Sequence, residues 1–298
     1  MLPPCFSELV ELSLERWDWD EKPRSIDEIW SSLMSQIFLG PTVRSAQANY
    51  IQDVLNPFIS YNNAPNVDNR DWSIEVLSHL QNERNIIRNT PGEGLKSAIL
   101  TVTEQEVADL NLSRTIFDSL NFFRTNRITV RKIYQLERDS TETKNLVYSA
   151  SKNIHNVALT KAVLWLYGCG IAHELVPPNT HIVSFLNQYK YIDVGWDSNS
   201  WPPDWQLFAE CCNEMTSIAG LVALDLDRPV SAKQAQAAVW YLQTCRGLIS
   251  RNNRIKMNPC RLIDFLNYQH WEIKDLENAI LDVELIGDLE TSLNSFLM

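Results

Sequence analysis

At 298 residues, 45% of them hydrophobic, the chain is long enough to bury a sizeable core in one large domain or two smaller lobes, and its formal net charge is −11. No uninterrupted apolar run approaches the roughly 20 residues of a membrane span. The opening MLPPCFSELVELSLERWDWDE lacks the basic, then apolar, then small-residue order of a signal peptide, so a cytoplasmic protein with no membrane partner is expected.

In chain order, apolar residues recur at spacings of three and four in IDEIWSSLMSQIF (26–38), WSIEVLSHLQNERNII (72–87), TKAVLWLY (160–167) and THIVSFLNQY (180–189). The same pattern runs through WQLFAECCNEMTSIAGL (205–221), AKQAQAAVWYLQTCRGLI (232–249) and WEIKDLENAILDVELIGDLETSLNSFL (271–297). Start signals agree: Ser231 opens the helix at 232, and Asn258 followed by Pro259 opens CRLIDFLNY. The segments 61–71, 88–94 and 193–204 are rich in turn residues and read as connectors. The expected fold class is therefore all-α.

Charge is unevenly distributed. Residues 1–30 carry eight acids and three bases, residues 271–298 seven acids and one base, and the middle holds 22 of each sign. Within that neutral middle, bases gather around Arg124, Arg127 and Arg131 and again around Arg251, Arg254 and Lys256. Either group could meet phosphate, although a solvated helix face is the simpler reading of each alone. The six cysteines, in a long chain without a secretion signal, are expected to be reduced core residues. No spacing matches a metal or iron–sulfur site, and no cofactor is called for.

Two polar residues in the stretch LTKAVLWLYGCGIAHELVPPNTHIVSFL (159–186) invite a chemical reading. Lys161 falls in the first turn of an apolar helix, near the positive end of its dipole and beside a core, and both effects lower the pKa of an amine. A partly neutral lysine is the nucleophile that Schiff-base chemistry needs. The ordinary alternative is a lysine snorkelling from a helix end, the simpler reading for this residue alone. Asn179, after Pro177 and Pro178, is a good N-cap for the helix that follows.

Taken together, that lysine, the apolar helix, the short turn and the capped Thr-His-Ile-Val helix resemble the catalytic segment of the helix-hairpin-helix DNA glycosylase superfamily. LMSQIFLGPTVRSAQANYIQDVL (33–55) is similar to the early helix, polar loop and helix of those enzymes, with Gln36 at the place of the residue that fills the gap left by a flipped base. WQLFAECCNEMTSIAGLVALDLD (205–227) and QAQAAVWYL (234–242) resemble the late helices lining the base pocket, with some likeness to the archaeal 8-oxoguanine glycosylase branch. The likeness implies two helical lobes around a cleft: 41–186 as a barrel-like lobe carrying the hairpin and Lys161, and 1–40 with 187–298 as the second. It implies Lys161 and Asn179 as the catalytic pair and Gln36, Gln47, Trp165, Trp240 and Tyr241 as base-flipping or pocket residues. The expected partner is double-stranded DNA with a damaged or modified base, a hypermodified base of phage DNA included, bound by a monomer.

Two departures accompany the likeness. The hairpin segment HNVALT (155–160) has no glycine where bare backbone would approach phosphate, and the usual carboxylate position holds Asn179. A carboxylate about 4 Å from a developing cation is worth about 4 kcal/mol at an effective dielectric near 20, roughly three orders of magnitude in rate. The amide is compatible with a natural slow enzyme, an engineered replacement of aspartate, or a DNA-binding homologue with impaired catalysis. An acidic helical scaffold for protein partners is the competing class. Residues 115–152 fit the pattern poorly and read as a variable surface helix pair.

Overall fold

The structure is a computed structural model and describes residues 2–3, 5–16, 22–39, 45–63, 70–88, 94–137, 140–192, 205–251 and 258–268. Those residues form thirteen helices and no strand: α1 (Phe6–Arg16), α2 (Ile26–Phe38), α3 (Ser45–Ile59), α4 (Arg70–Arg88), α5 (Gly94–Ala108), α6 (Asn111–Thr125), α7 (Val130–Leu136), α8 (Ser140–Asn153), α9 (Leu159–Gly168), α10 (Thr180–Gln188), α11 (Trp205–Leu226), α12 (Ala232–Arg251) and α13 (Pro259–Tyr268). The all-α expectation holds. The expected helix at 271–297 lies outside the described residues.

The chain divides into two units, Trp19–Pro177 with Ser198–Phe208, and Met1–Asp18 with Pro178–Asp197 and Ala209–Met298. This boundary differs from the expected one at both ends. Helix α2 joins α3 to α9 rather than the N-terminal segment, and α10 leaves them for the other unit. Packing explains both: α2 lies on α9, and α10 lies on α12.

In the larger unit, α2 starts at Ser25, whose hydroxyl accepts from the Glu28 N–H at 3.1 Å, while the Glu28 carboxylate accepts from the Arg24 N–H at 2.6 Å. Its apolar face, Ile29, Trp30, Leu33 and Met34, is buried. Trp30 and Trp165 are both among the largest fully buried side chains, and each satisfies its indole N–H on a backbone carbonyl, Trp30 on Ile59 at 2.7 Å and Trp165 on Ile29 at 3.1 Å. Phe123 sits edge-on to Trp30 with ring centroids 5.1 Å apart, and lies 5.6 Å from Trp165.

That placement corrects the reading of 115–152 as a surface pair. Helix α6 buries Leu112, Ile116, Leu120 and Phe123, a stripe at helical spacing, and so belongs to the core of this unit.

In the other unit, Phe6 of α1 stacks on Phe185 of α10 with centroids 5.3 Å apart, and α12 packs against α1, α10 and α13. Helix α12 opens with a reciprocal box: the Gln234 N–H donates to the Ser231 hydroxyl and the Ser231 N–H donates to the Gln234 side chain. The Asn258 side chain likewise accepts from the Cys260 N–H at the start of α13. Cys5 and Cys260 form a disulfide across 255 residues, with Cα atoms 5.7 Å apart, so the expectation of six thiols fails for this pair. Sequence separation hid a proximity that the packing of α12 on α1 and α13 creates. Cys169, Cys211, Cys212 and Cys245 are buried thiols, and burial pushes Cys211 and Cys245 up to about 12.

Helix α11 is long and apolar enough, by length and composition, to cross a membrane, contrary to the expectation that no segment qualifies. Its Glu210, Glu214 and Asp225 interrupt any continuous run, which is why counting uninterrupted residues missed it. Phe208, Cys211, Cys212, Met215, Ile218 and Val222 are buried within the protein, while Leu221 and Leu224 are exposed.

Gly168 marks the closest approach of α2 and α9: a Cβ there would lie 2.3 Å from the Ser32 hydroxyl, which donates to the Trp165 carbonyl at 3.0 Å. Gly168→Ala is expected to displace that hydroxyl and cost about 1 kcal/mol in urea unfolding, the worth of one hydrogen bond. In a Ser32→Ala background, where there is no hydroxyl to displace, the added cost should be much smaller.

Candidate functional site: a desolvated lysine at a cavity

Helix α9 begins after a five-residue turn that follows α8. The turn is closed by the Val157 N–H on the Ile154 carbonyl at 3.2 Å, and Asn156 adopts the left-handed conformation at φ 60°. Asparagine tolerates that region better than other side-chain-bearing residues, so the glycine-free hairpin still turns. The Ala158 carbonyl accepts from the Ala162 N–H at 3.0 Å, while the alanine side chain offers no cap.

Lys161 is the third residue of α9, in the first turn as expected, but it is half-buried rather than a surface amine. Its ammonium donates to the Ile37 carbonyl at 2.9 Å. Ile37 is in the last turn of α2, where carbonyls lack helical partners, so the lysine satisfies one of them. Burial pushes the Lys161 pKa below 10.5, and the Glu106 carboxylate opposes that shift without cancelling it. The lysine lines a cavity of about 280 Å³ walled mainly by apolar side chains, among them Ile37, Phe38, Ile51, Val102 and Leu112.

Two atoms with unused hydrogen-bonding capacity sit next in sequence to this bond. The Gln36 side-chain oxygen and the Thr160 hydroxyl are buried and have no partner among the described residues. The Gln36 amide nitrogen donates to the Ser35 hydroxyl at 3.3 Å. Gln36 is next in sequence to Ile37 but is not among the residues that line the cavity.

Asn179 is the N-cap of α10, with its side-chain oxygen accepting from the Ile182 N–H at 3.0 Å. It belongs to the unit that does not contain Lys161. Trp165 is a correction: it is wholly buried and packed against Phe122 and Phe123, so it offers no face to a base. Tyr241 is also buried, at 7% exposure, with its ring edge-on to the half-buried Trp240. Both lie on α12, in the unit that contains Asn179. Gln47 is on α3, with its side chain outside the described residues.

Arg124, Arg127 and Arg131 are exposed at one corner, where α6 ends and α7 begins, and none has an ion-pair partner among the described residues. Thr115 of the cavity wall is nine residues before Arg124 on α6, about 13 Å along the helix axis. Of the second basic group, the Arg251 side chain and all of Arg254 and Lys256 lie outside the described residues. Arg246, from the same region, is engaged locally by the Tyr189 hydroxyl at 2.7 Å and by Gln188.

No protein-family profile, curated protein or solved structure matches the chain. The site is therefore read from its own geometry. Among the described residues no group of three His, Cys, Asp or Glu side chains could hold a metal ion. The residue that sequence reasoning missed is Glu106, which lines the cavity from α5. Helix α5, GLKSAILTVTEQEVA, mixes β-branched residues with a weak apolar stripe, so neither the helix nor its acid was prominent in the sequence.

Because the folded value for Lys161 lies below 10.5, the unfolded chain binds more protons between the two values. The penalty on folding is complete at lower pH and is relieved as the pH rises toward 10.5. Reductive methylation with ¹³C-formaldehyde followed by NMR titration should find Lys161 titrating below the exposed lysines. Glu106→Gln, by removing the opposing carboxylate, should move it lower still.

Proposed function

We propose that the protein is a DNA glycosylase in which Lys161 attacks the sugar C1′ of an extruded nucleotide. The observation that carries this reading is the desolvated first-turn amine on the wall of a mainly apolar cavity. A surface lysine at neutral pH is almost wholly protonated and has no lone pair to offer; burial shifts the balance toward the neutral amine. The cavity volume, about 280 Å³, is near the lower bound of ligand sites at roughly 300 Å³. That suits one extruded group rather than a length of polymer. Extrusion is needed because a stacked base hides its glycosidic bond, and it is least costly for damaged or modified bases.

The resemblance to helix-hairpin-helix glycosylases gives the reaction its order. The bond to the base breaks with positive charge developing on the sugar, and the amine then holds C1′ as a Schiff base. In those enzymes the position that Asn179 matches in sequence carries a carboxylate, and an amide stabilises that charge less. The exposed Arg124, Arg127 and Arg131 suit phosphate binding on the same duplex, since Arg124 lies about 13 Å along the axis of α6 from Thr115 of the cavity wall and phosphates recur every 3.4 Å on each strand. The enzyme would act in the cytoplasm as a monomer, without a cofactor.

Borohydride added to the protein with an abasic or base-modified duplex should trap a covalent complex that peptide mapping locates at Lys161, and Lys161→Gln should abolish it. Asn179→Asp, which keeps the N-cap, should raise base excision on a true substrate by up to roughly three orders of magnitude. Retention on DNA without any adduct at Lys161 would leave a binding homologue; no retention on any DNA would leave a scaffold.

Replacing Arg124, Arg127 and Arg131 together by alanine should weaken binding to all duplex sequences alike. The slope of log affinity against log salt should flatten by about 0.9 for each phosphate no longer neutralised. An unchanged slope would remove this corner from the interface.

A further inference from the structure

We propose that Glu106 is the proton-transfer group of the Lys161 site, acting on an aldehyde substrate, the ring-opened deoxyribose of an abasic nucleotide. This role rests on Lys161 being the nucleophile, and the two can fail separately. Among the described residues that line the cavity, Glu106 and Lys161 are the charged ones. The other hydroxyl groups there are engaged: Thr103 donates to the Ile99 carbonyl at 3.0 Å and Thr115 to the Asn111 carbonyl at 2.9 Å. Asn179 cannot serve, because its oxygen is committed to the Ile182 N–H and an amide does not exchange protons at neutral pH. Glu106 is exposed, so it can re-equilibrate with water between turnovers, while the amine is held half-buried by Ile37.

The chemistry balances without a further reactant. The ammonium passes one proton to the Glu106 carboxylate, and the nitrogen lone pair so released forms the N–C1′ bond while the carbonyl π pair moves to oxygen. That oxygen takes the proton from Glu106. A second proton then leaves nitrogen for Glu106 and passes to the new hydroxyl, which departs as water as nitrogen and carbon form the double bond. One ammonium and one aldehyde give one iminium and one water, and Glu106 ends as a carboxylate.

A proton-transfer role and a merely electrostatic one predict opposite signs. If Glu106 only holds the ammonium, Glu106→Gln increases the neutral amine and speeds iminium formation. If it moves protons, the same change slows formation. The test is single-turnover trapping by the full chain at neutral pH, using saturating duplex with one abasic site and borohydride quench. Glu106→Gln is expected to slow trapping roughly 10²-fold with duplex affinity and melting temperature unchanged, and Glu106→Asp to recover part of the rate. A Glu106→Gln rate equal to or above wild type, with the adduct still at Lys161, overturns the role of Glu106 and leaves the nucleophile standing. Absence of any adduct in wild type overturns both.

Discussion

The pairing of α2 with α9 depends on one backbone-linked exchange. The Trp165 indole donates to the Ile29 carbonyl, and the Ser32 hydroxyl donates back to the Trp165 carbonyl. Gly168 leaves room for it, since any side chain would collide with Ser32. These bonds set two antiparallel helices in one register, with Ile29 and Ser32 near the end of α9 and Ile37 near its beginning. The bond from Lys161 to the Ile37 carbonyl follows from that register. A core tryptophan, remote from any chemistry of its own, thereby decides where the amine stands.

The position of Lys161 is a compromise between two opposing demands. Burial disfavours the ammonium, and among the described residues the Ile37 carbonyl and the Glu106 carboxylate compensate it. A protein selected for stability alone would place an apolar residue here, as it does at Ala162, Val163, Trp165 and Leu166 of the same helix, all buried. Retaining a cation beside a mainly apolar cavity costs stability. Such local departures from the rules of packing mark sites of chemistry more often than defects.

What can be read in the sequence is what depends on near neighbours. Helices α2, α9, α10 and α12 declare themselves through apolar residues three and four apart, and Asn179, Ser231 and Asn258 through the cap each supplies a few residues on. Trp165 misleads because an aromatic on an apolar helix looks the same whether it faces a core or a pocket; only Phe122 and Phe123, some forty residues earlier, distinguish the two. Glu106 escapes notice because α5 lacks a clear stripe, and its relevance comes from sharing a cavity with a residue on α9. The Cys5–Cys260 pair and the unit boundary at Pro177 likewise depend on distant helices meeting, which no local pattern encodes.

The unit containing α1 is discontinuous, and this bears on synthesis. Phe6, Leu9 and Val10 are buried, and the helices they share a unit with are α10, most of α11, α12 and α13, so α1 leaves the ribosome long before these can cover it. With about 160 residues to translate between the end of α1 and the start of α10, at about 5–20 residues per second, its apolar face waits on the order of 8–30 s. During that interval the intervening helices α2 to α9 can fold as their own unit beside an unpartnered amphipathic helix. Chaperone demand during translation, rather than the stability of the finished protein, is where this arrangement places its burden.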